Sequence, residues 1–302
     1  MYSIGTPIVL IIFNRPGHTL RVLERLAIAR PRKLYVVADG PRKDVPEEEN
    51  ECLRTRDLID KIDWDCQISN NYADSNLGCR KRVSSGLDWV FSEVDSAIIL
   101  EDDCLPDLSF FGFCNELLEH YATDERVMAI SGDNFQFGRQ RTYDSYYFSR
   151  YFHCWGWATW RRAWQYYDAE MALWPEIRDR QRLRDILCDY LTVRYWQNRF
   201  QQTYEGHIDT WDYVWTLSCW QQHGLCILPS ASLVSNIGFG VGGTHHATAY
   251  SPFANMPTES IAFPLTHPKV VIQNSRADRF TQFHQFGLFF RLYRKLRSSL
   301  KI

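Results

Sequence analysis

No two cysteines of this 302-residue chain stand at CxxC spacing, so a zinc ribbon built on such pairs is excluded. The nine cysteines are odd in number and scattered, and the chain is too large to need staples. Reduced thiols in a cytosol-like compartment are the expectation. An excess of either charge is also missing, since 34 Lys and Arg face 36 Asp and Glu for a net −2. Phosphate backbones select for basic excess, so no nucleic-acid partner is expected. The longest apolar run, Ile8–Phe13, falls far short of the roughly 20 residues that cross a bilayer. The opening MYSIGTPIVLIIFNRP has no basic n-region and no small-residue cleavage site, and no signal peptide is expected. Three phosphate or nucleophile signatures are absent as well. Without GxGxxG after the first strand, GxxxxGK[ST] or GxSxG, a dinucleotide dehydrogenase, a P-loop enzyme and an elbow hydrolase lose their support.

What the chain does have is an ordinary globular balance, 45% hydrophobic and 23% charged, which excludes disorder. Aromatics stand out at 15%, with 11 Trp, and concentrate between Tyr143 and Trp220. That concentration suggests a surface stacking on flat apolar faces such as sugar rings, the plain alternative being an aromatic core. The first half alternates strand and helix. Pro7–Phe13 reads as a buried strand closed by Asn14-Arg15-Pro16, and Gly17–Arg30 as a helix with Leu20, Leu23 and Leu26 on one face. Leu34–Ala38 is a second strand, closed by Asp39-Gly40-Pro41; the acidic stretch Arg42–Glu51 reads as a solvated loop. Asn76-Leu77-Gly78 opens a helix carrying Val83, Leu87, Val90 and Phe91. Ala97–Leu100 is a third strand running into Glu101-Asp102-Asp103, followed by a helix from Ser109.

Such alternation predicts an α/β fold with a mostly parallel central sheet flanked by helices. Ligands bind such sheets beyond the carboxyl ends of the strands, so the three polar tripeptides should line one crevice. No Gly/Ser or Pro-rich linker interrupts the chain. The expected organisation is a nucleotide-binding half over 1–135, an acceptor-binding and catalytic half of the same domain over 136–250, and an extension over 251–302. From Arg279 to Ile302 the extension holds six Lys or Arg residues interleaved with Phe and Tyr, and no acid. Two readings of it stand open: an amphipathic helix on an anionic membrane, or a helix docking its Phe stripe on the domain.

The strongest chemical signal is IILEDDCLPD, where a strand delivers three consecutive carboxylates to a sheet edge. Like charges there repel unless a cation compensates them, and hard oxygen ligands suit Mn²⁺ or Mg²⁺ completed by water and phosphate. Adjacent strand residues point to opposite sides, so one carboxylate is expected to ligate directly. Asp103, nearest the loop, is that residue. Asp39 ends its strand where it could accept hydrogen bonds from a base or a ribose, and Arg15 could pair with phosphate or base. Taken singly, each is as well explained by an Asp-Gly turn and a surface arginine.

Together the motifs resemble the inverting glycosyltransferases of the GT-A (nucleotide-diphospho-sugar transferase) fold, in particular the N-acetylglucosaminyltransferase I type and its bacterial relatives. The likeness runs in order through FNRP, VVADG, NLGCRKRVSSGLDWVF, IILEDDCLPDLSFFGFC, AISGDNF, CWGWATW, HIDTWDYVW and SNIGFGVGGTHH, roughly residues 7–246. The resemblance implies that Arg15 and Asp39 hold the nucleotide, with Lys81 of the third motif beside it. It implies that Asp103 coordinates Mn²⁺ or Mg²⁺ bridging the donor diphosphate, while Asp102 and Glu101 contact ribose or sugar. An Asp following a Trp serves as catalytic base in that family, which falls on Asp212. The family's second acid is Tyr213 here, so Asp209 stays a second candidate. The segment NIGFGVGGTHH corresponds to a loop closing over the donor, with His245 or His246 reaching the diphosphate; its glycines supply hinge freedom by themselves. Trp155, Trp157, Trp160 and Trp211 would wall the donor and acceptor sites.

The expected activity is thus transfer of a hexosyl or N-acetylhexosaminyl unit from a UDP-sugar to a hydroxyl of a glycan or glycolipid acceptor, in polysaccharide biosynthesis. The expected place is the cytoplasm, with peripheral contact at the inner face of the membrane through the basic tail. Two other readings remain: a sugar-phosphate nucleotidylyltransferase, whose Gly-rich loop after strand 1 FNRPGHT does not supply, and a non-catalytic carbohydrate-binding protein of the same fold.

Overall fold

The computed structural model describes residues 4–187, 189–239 and 251–287. The chain runs β1 (Ile8–Ile12), α1 (Pro16–Ala29), β2 (Lys33–Ala38), α2 (Glu48–Arg56), β3 (Gln67–Tyr72), α3 (Cys79–Glu93), β4 (Ser96–Glu101), β5 (Cys104–Pro106) and α4 (Leu108–His120). It continues through β6 (Val127–Ser131), β7 (Tyr146–Ser149), β8 (Trp157–Trp160), α5 (Arg161–Trp164), α6 (Trp174–Asp179), α7 (Leu183–Ile186), α8 (Tyr190–Tyr204) and α9 (Asp212–Gln221). The last elements are β9 (Leu225–Pro229), β10 (Val234–Asn236) and α10 (Ser275–Thr281).

Eight strands form one sheet in the order β3-β2-β1-β4-β8-β6-β9-β7, and β5 pairs with β10 beside it. Pairings β1–β2, β2–β3, β1–β4 and β6–β9 are parallel. β8 enters antiparallel between β4 and β6, and β7 antiparallel on β9. Both halves of the chain therefore share one sheet. The carboxyl ends of β1, β2 and β4 open on the same edge, where Arg15, Asp39 and the triple carboxylate follow.

Why the strands read as unbroken apolar runs follows from the layers. Ile8, Leu10 and Ile12 pack with α1 and α4 on one face, whereas Val9 and Ile11 pack with α3, α5 and α9 on the other. A strand covered on both sides has no position for a polar side chain. α3 buries Val83, Leu87, Val90 and Phe91 at spacings of three and four, the helical periodicity its sequence displays. A third cluster, centred on Trp174, Trp196, Phe200 and Trp220, joins α6, α7, α8 and α9.

β3 carries no strand signal in sequence, because QISNNY at the sheet edge is largely polar and lacks an apolar run. Two expectations are corrected. The stretch Arg42–Glu51 is not wholly solvated: α2 starts inside it and Glu48 is 3% exposed. The Glu48 carboxylate accepts from the Arg42 amide at 2.7 Å and from Asn14 Nδ2 at 2.8 Å, tying that loop to the turn after β1. Trp157 and Trp160 are not sugar platforms either. They lie on β8, buried to 1% and 4%, because an antiparallel strand inside the sheet turns both its faces to packed helices. Within the described residues no helix is long and apolar enough to cross a membrane. The basic tail from residue 288 onward lies outside them.

Candidate active site

Two adjoining cavities lie at the carboxyl edge of the parallel strands. The first, about 280 Å³, is lined by Arg15, Asp39, Arg42, Asn76, Arg82 and Asp102 among others. The second, about 310 Å³, is lined by Asp103, Trp155, Arg199, Trp211, Asp212 and Asn236 among others. Arg15, Cys79 and Glu101 border both. The three strand-end tripeptides predicted to share a crevice thus meet here.

Arg15 is the hub. Its guanidinium pairs with Asp102 Oδ1 at 2.8 Å and Asp103 Oδ2 at 3.1 Å, drawn there because β1 and β4 are neighbours in register. Three carboxylates share this one arginine. Burial, and then repulsion from Asp103 and Asp102, pushes Glu101 up to about 8. Burial likewise raises Asp102, to about 7, although Arg15 opposes it.

Asp39, 6% exposed, accepts from the Gly40 and Leu77 amides at 2.9 Å, from Asn76 Nδ2 at 3.0 Å and from the Gly78 amide at 3.2 Å. Four donors fill a carboxylate's acceptor capacity. Asp39 therefore fixes the loop opening α3, and the cavity wall beside it is made of that loop, Arg42 and Arg82. Lys81 is exposed and borders neither cavity. Its neighbour Arg82 turns inward instead, donating to Asn71 Oδ1 at 2.9 Å.

The two candidate bases part company. Asp209 accepts from the Cys79 amide at 2.8 Å and the Arg80 amide at 3.1 Å, capping the first turn of α3. Gly78 makes this approach possible, since a Cβ there would meet Asp209 Oδ2 at 2.6 Å and its φ is +83°. Asp212, the first residue of α9, lines the second cavity. Its Oδ1 accepts from the Thr210 hydroxyl and, at 2.9 Å, from the Tyr213 amide. Trp211 stacks on Trp157 at 5.1 Å and so fixes where α9 begins.

Among the described residues no three His, Cys, Asp or Glu side chains converge into a ready-made metal cage. The donor chemistry nonetheless fits a hard divalent ion bound through one carboxylate, with substrate oxygens and water completing the shell. Asp103 borders the cavity, and the backbone of Gly238 packs so closely that a Cβ would meet Asp103 Oδ2 at 2.1 Å. A side chain there would occupy the space beside that carboxylate oxygen. Gly238 is itself pinned, its amide donating to Asn236 Oδ1 at 2.9 Å, and His18 Nε2 contacts the Ile237 carbonyl at 3.1 Å. Phe239 packs edge-on against Trp155 at 5.5 Å. Beyond it the glycine loop, including His245 and His246, lies outside the described residues.

Several bordering residues have no predicted role: Cys79, Arg82, Cys154 and Asn236 stand inside the quoted motifs without one, Arg199 stands outside them all, and burial pushes both thiols far up. They belong to elements whose meeting depends on the whole sheet.

No family model matches the chain, and no curated protein matches it. Among solved structures it is similar to the mannosyltransferase PcManGT from Pyrobaculum calidifontis in complex with GDP-Man and Mn²⁺, at TM-score 0.32 and 16% identity, over 52% of this chain and 45% of that one. It is similar to a cytidylyltransferase from Leptospira borgpetersenii at TM-score 0.34 and 11% identity, over 54% of this chain and 63% of that one. A 4-diphosphocytidyl-2C-methyl-D-erythritol synthase from Anaerococcus prevotii gives TM-score 0.32 and 14% identity, over 56% and 78%. The overlap spans less than two thirds of the first two proteins. Nothing about this chain's chemistry follows from overlaps of that size, and its activity is read from its own site.

Proposed function

We propose that the chain is an inverting, divalent-metal-dependent glycosyltransferase of the GT-A type, moving a sugar from a UDP-sugar to a hydroxyl of a glycan or glycoconjugate. One observation carries the reading: Arg15, Asp103 and Asp212 border a single cavity that opens onto a second one walled by the Asp39-anchored loop. A nucleotide and a transferable group need two adjoining compartments, and a carboxylate where they join.

The base and uridine would lie in the first cavity, between Arg42, Arg82 and the loop Asn76–Gly78. Arg15 and Asp103 then stand where the diphosphate would lie. A divalent ion held by Asp103 supplies positive charge to the leaving diphosphate when bound. Asp212 takes the proton of the acceptor hydroxyl as the new C–O bond forms and the bond to the diphosphate breaks, the diphosphate leaving with the electron pair. Thr210 and the Tyr213 amide hold the Asp212 carboxylate in one orientation. Displacement assisted by a single base inverts the anomeric centre, whereas retention through a glycosyl-enzyme needs a second carboxylate as nucleophile. Trp155 borders the same cavity and offers a face for a sugar ring, whereas Trp211, 2% exposed, packs on Trp157.

The test is a panel of nucleotide-sugars titrated with and without Mn²⁺, followed by assay of donor hydrolysis. Binding of UDP-sugars that requires Mn²⁺, with slow release of UDP, is the expected result. Turnover of a sugar phosphate with UTP instead would assign the protein to the nucleotidylyltransferases.

A further inference from the structure

Arg199, on α8, borders the second cavity and not the first, and has no part in the mechanism above. Its side chain makes no ion pair or hydrogen bond within the described residues, and its Nε is buried without an acceptor. Its guanidinium lies over the Tyr195 ring at 5.5 Å. The residues outside the described ranges contain no Asp or Glu, so no side-chain carboxylate there can neutralise it. The other cations nearby are engaged: Arg15 by Asp102 and Asp103, and Arg80 by the Thr203 carbonyl at 3.0 Å. An orphaned, half-buried guanidinium in a cavity bordered by Trp155 and Tyr213 pairs a planar anion receptor with aromatic surface.

We propose that Arg199 binds a negative group, carboxylate or phosphate ester, on the acceptor glycan, so that the enzyme elongates anionic rather than neutral chains. The inference rests on reading this cavity as the acceptor site. Arg199 borders the cavity of Asp212 and not the one walled by the Asp39-anchored loop, and the donor arm of the experiment separates acceptor from donor. A guanidinium meeting a carboxylate makes charge-assisted, bidentate hydrogen bonds, worth about tenfold to hundredfold in affinity.

The experiment titrates the full chain with three trisaccharides that differ only in their last residue: glucose, glucuronic acid or glucose 6-phosphate. Each is measured with and without UDP and Mn²⁺, in the wild type, Arg199→Gln and Arg199→Lys, with circular dichroism as the check on folding. At least one charged ligand should bind tenfold or more tightly than the neutral one. Arg199→Gln should erase that gap, and Arg199→Lys should keep only part of it, since an ammonium lacks the planar fork. No gap in the wild type, or one that survives Arg199→Gln, overturns the proposal. UDP-glucuronic acid and UDP-glucose form the donor arm, and a charge preference confined to donors overturns the acceptor assignment. If charged trisaccharides are preferred through Arg199 but UDP never binds, the anion site stands and the glycosyltransferase reading falls.

Discussion

The Asp209 carboxylate accepts the Cys79 amide at 2.8 Å across 130 residues of sequence, clamping the segment before α9 onto the first turn of α3. Helix α3 opens from the loop that Asp39 holds, and α9 begins with Asp212. The clamp therefore ties the wall of one cavity to the carboxylate of the next. Asp209 borders the first cavity with its carboxylate engaged by the α3 amides, and Asp212 borders the second.

Asp212→Asn keeps the size of the side chain but cannot take a proton, so transfer should fall by about 10²-fold to 10⁴-fold while UDP affinity changes little. Asp209→Ala should instead lower the unfolding free energy by about 1 kcal/mol, the usual worth of a helix cap. Steady-state assays and urea titration of both variants check this. Loss of transfer in Asp209→Asn with a normal Asp212→Asn would reverse the two roles.

Asp103→Ala should remove the Mn²⁺ dependence of UDP binding and leave the fold intact. The motivation is the strand-end triplet Glu101-Asp102-Asp103, of which Asp103 borders the second cavity and pairs with Arg15 at 3.1 Å. Calorimetric titration with UDP, with and without Mn²⁺, decides it. A variant that still gains affinity from Mn²⁺ shows that another residue holds the ion.

Gly238→Ala should do much the same for a steric reason. The added methyl would meet Asp103 Oδ2 at 2.1 Å and its Cβ at 2.8 Å, displacing the ligand carboxylate. The expected signature is weakened Mn²⁺-dependent UDP binding with a melting temperature within a few degrees of wild type. Unchanged UDP affinity would show that Asp103 tolerates the shift or is not the ligand.

Asp133 provides a pH test. It is 1% exposed, and burial pushes its carboxyl well above the ordinary range, opposed only by a hydrogen bond from the Trp155 amide at 3.1 Å. A native value above the unfolded one means the native state holds the proton more tightly. This contribution to stability is thus complete below the unfolded value, near 3.9, and is lost as pH rises toward the native one. Asp133→Asn, which cannot ionise, should gain on wild type by up to about 1.4 kcal/mol per pH unit between pH 5 and the native value. Urea midpoints at pH 5 and pH 8 measure that gain. A stability difference equal at both pH values would show that Asp133 does not titrate as described.

Local pattern determined much of this protein. β1, β2 and β4 are apolar runs ended by polar tripeptides, and a strand covered on both faces admits no other composition, so strands and crevice were legible in one dimension. The helical spacing of Val83, Leu87, Val90 and Phe91 likewise needed no partner to be read. Other features required the whole sheet. β3 stands at an edge where polar residues are tolerated, and Trp157 and Trp160 are buried only because β8 inserts between β4 and β6. Asp209 and Asp212 are three residues apart, and in sequence only the Trp before Asp212 sets them apart. The tertiary structure engages the first with free amides of α3, while Trp211, seated on Trp157, starts α9 so that the second borders the cavity of Asp103. Such choices are made by contacts between segments far apart in the chain, and sequence periodicity, a property of neighbours, carries no record of them.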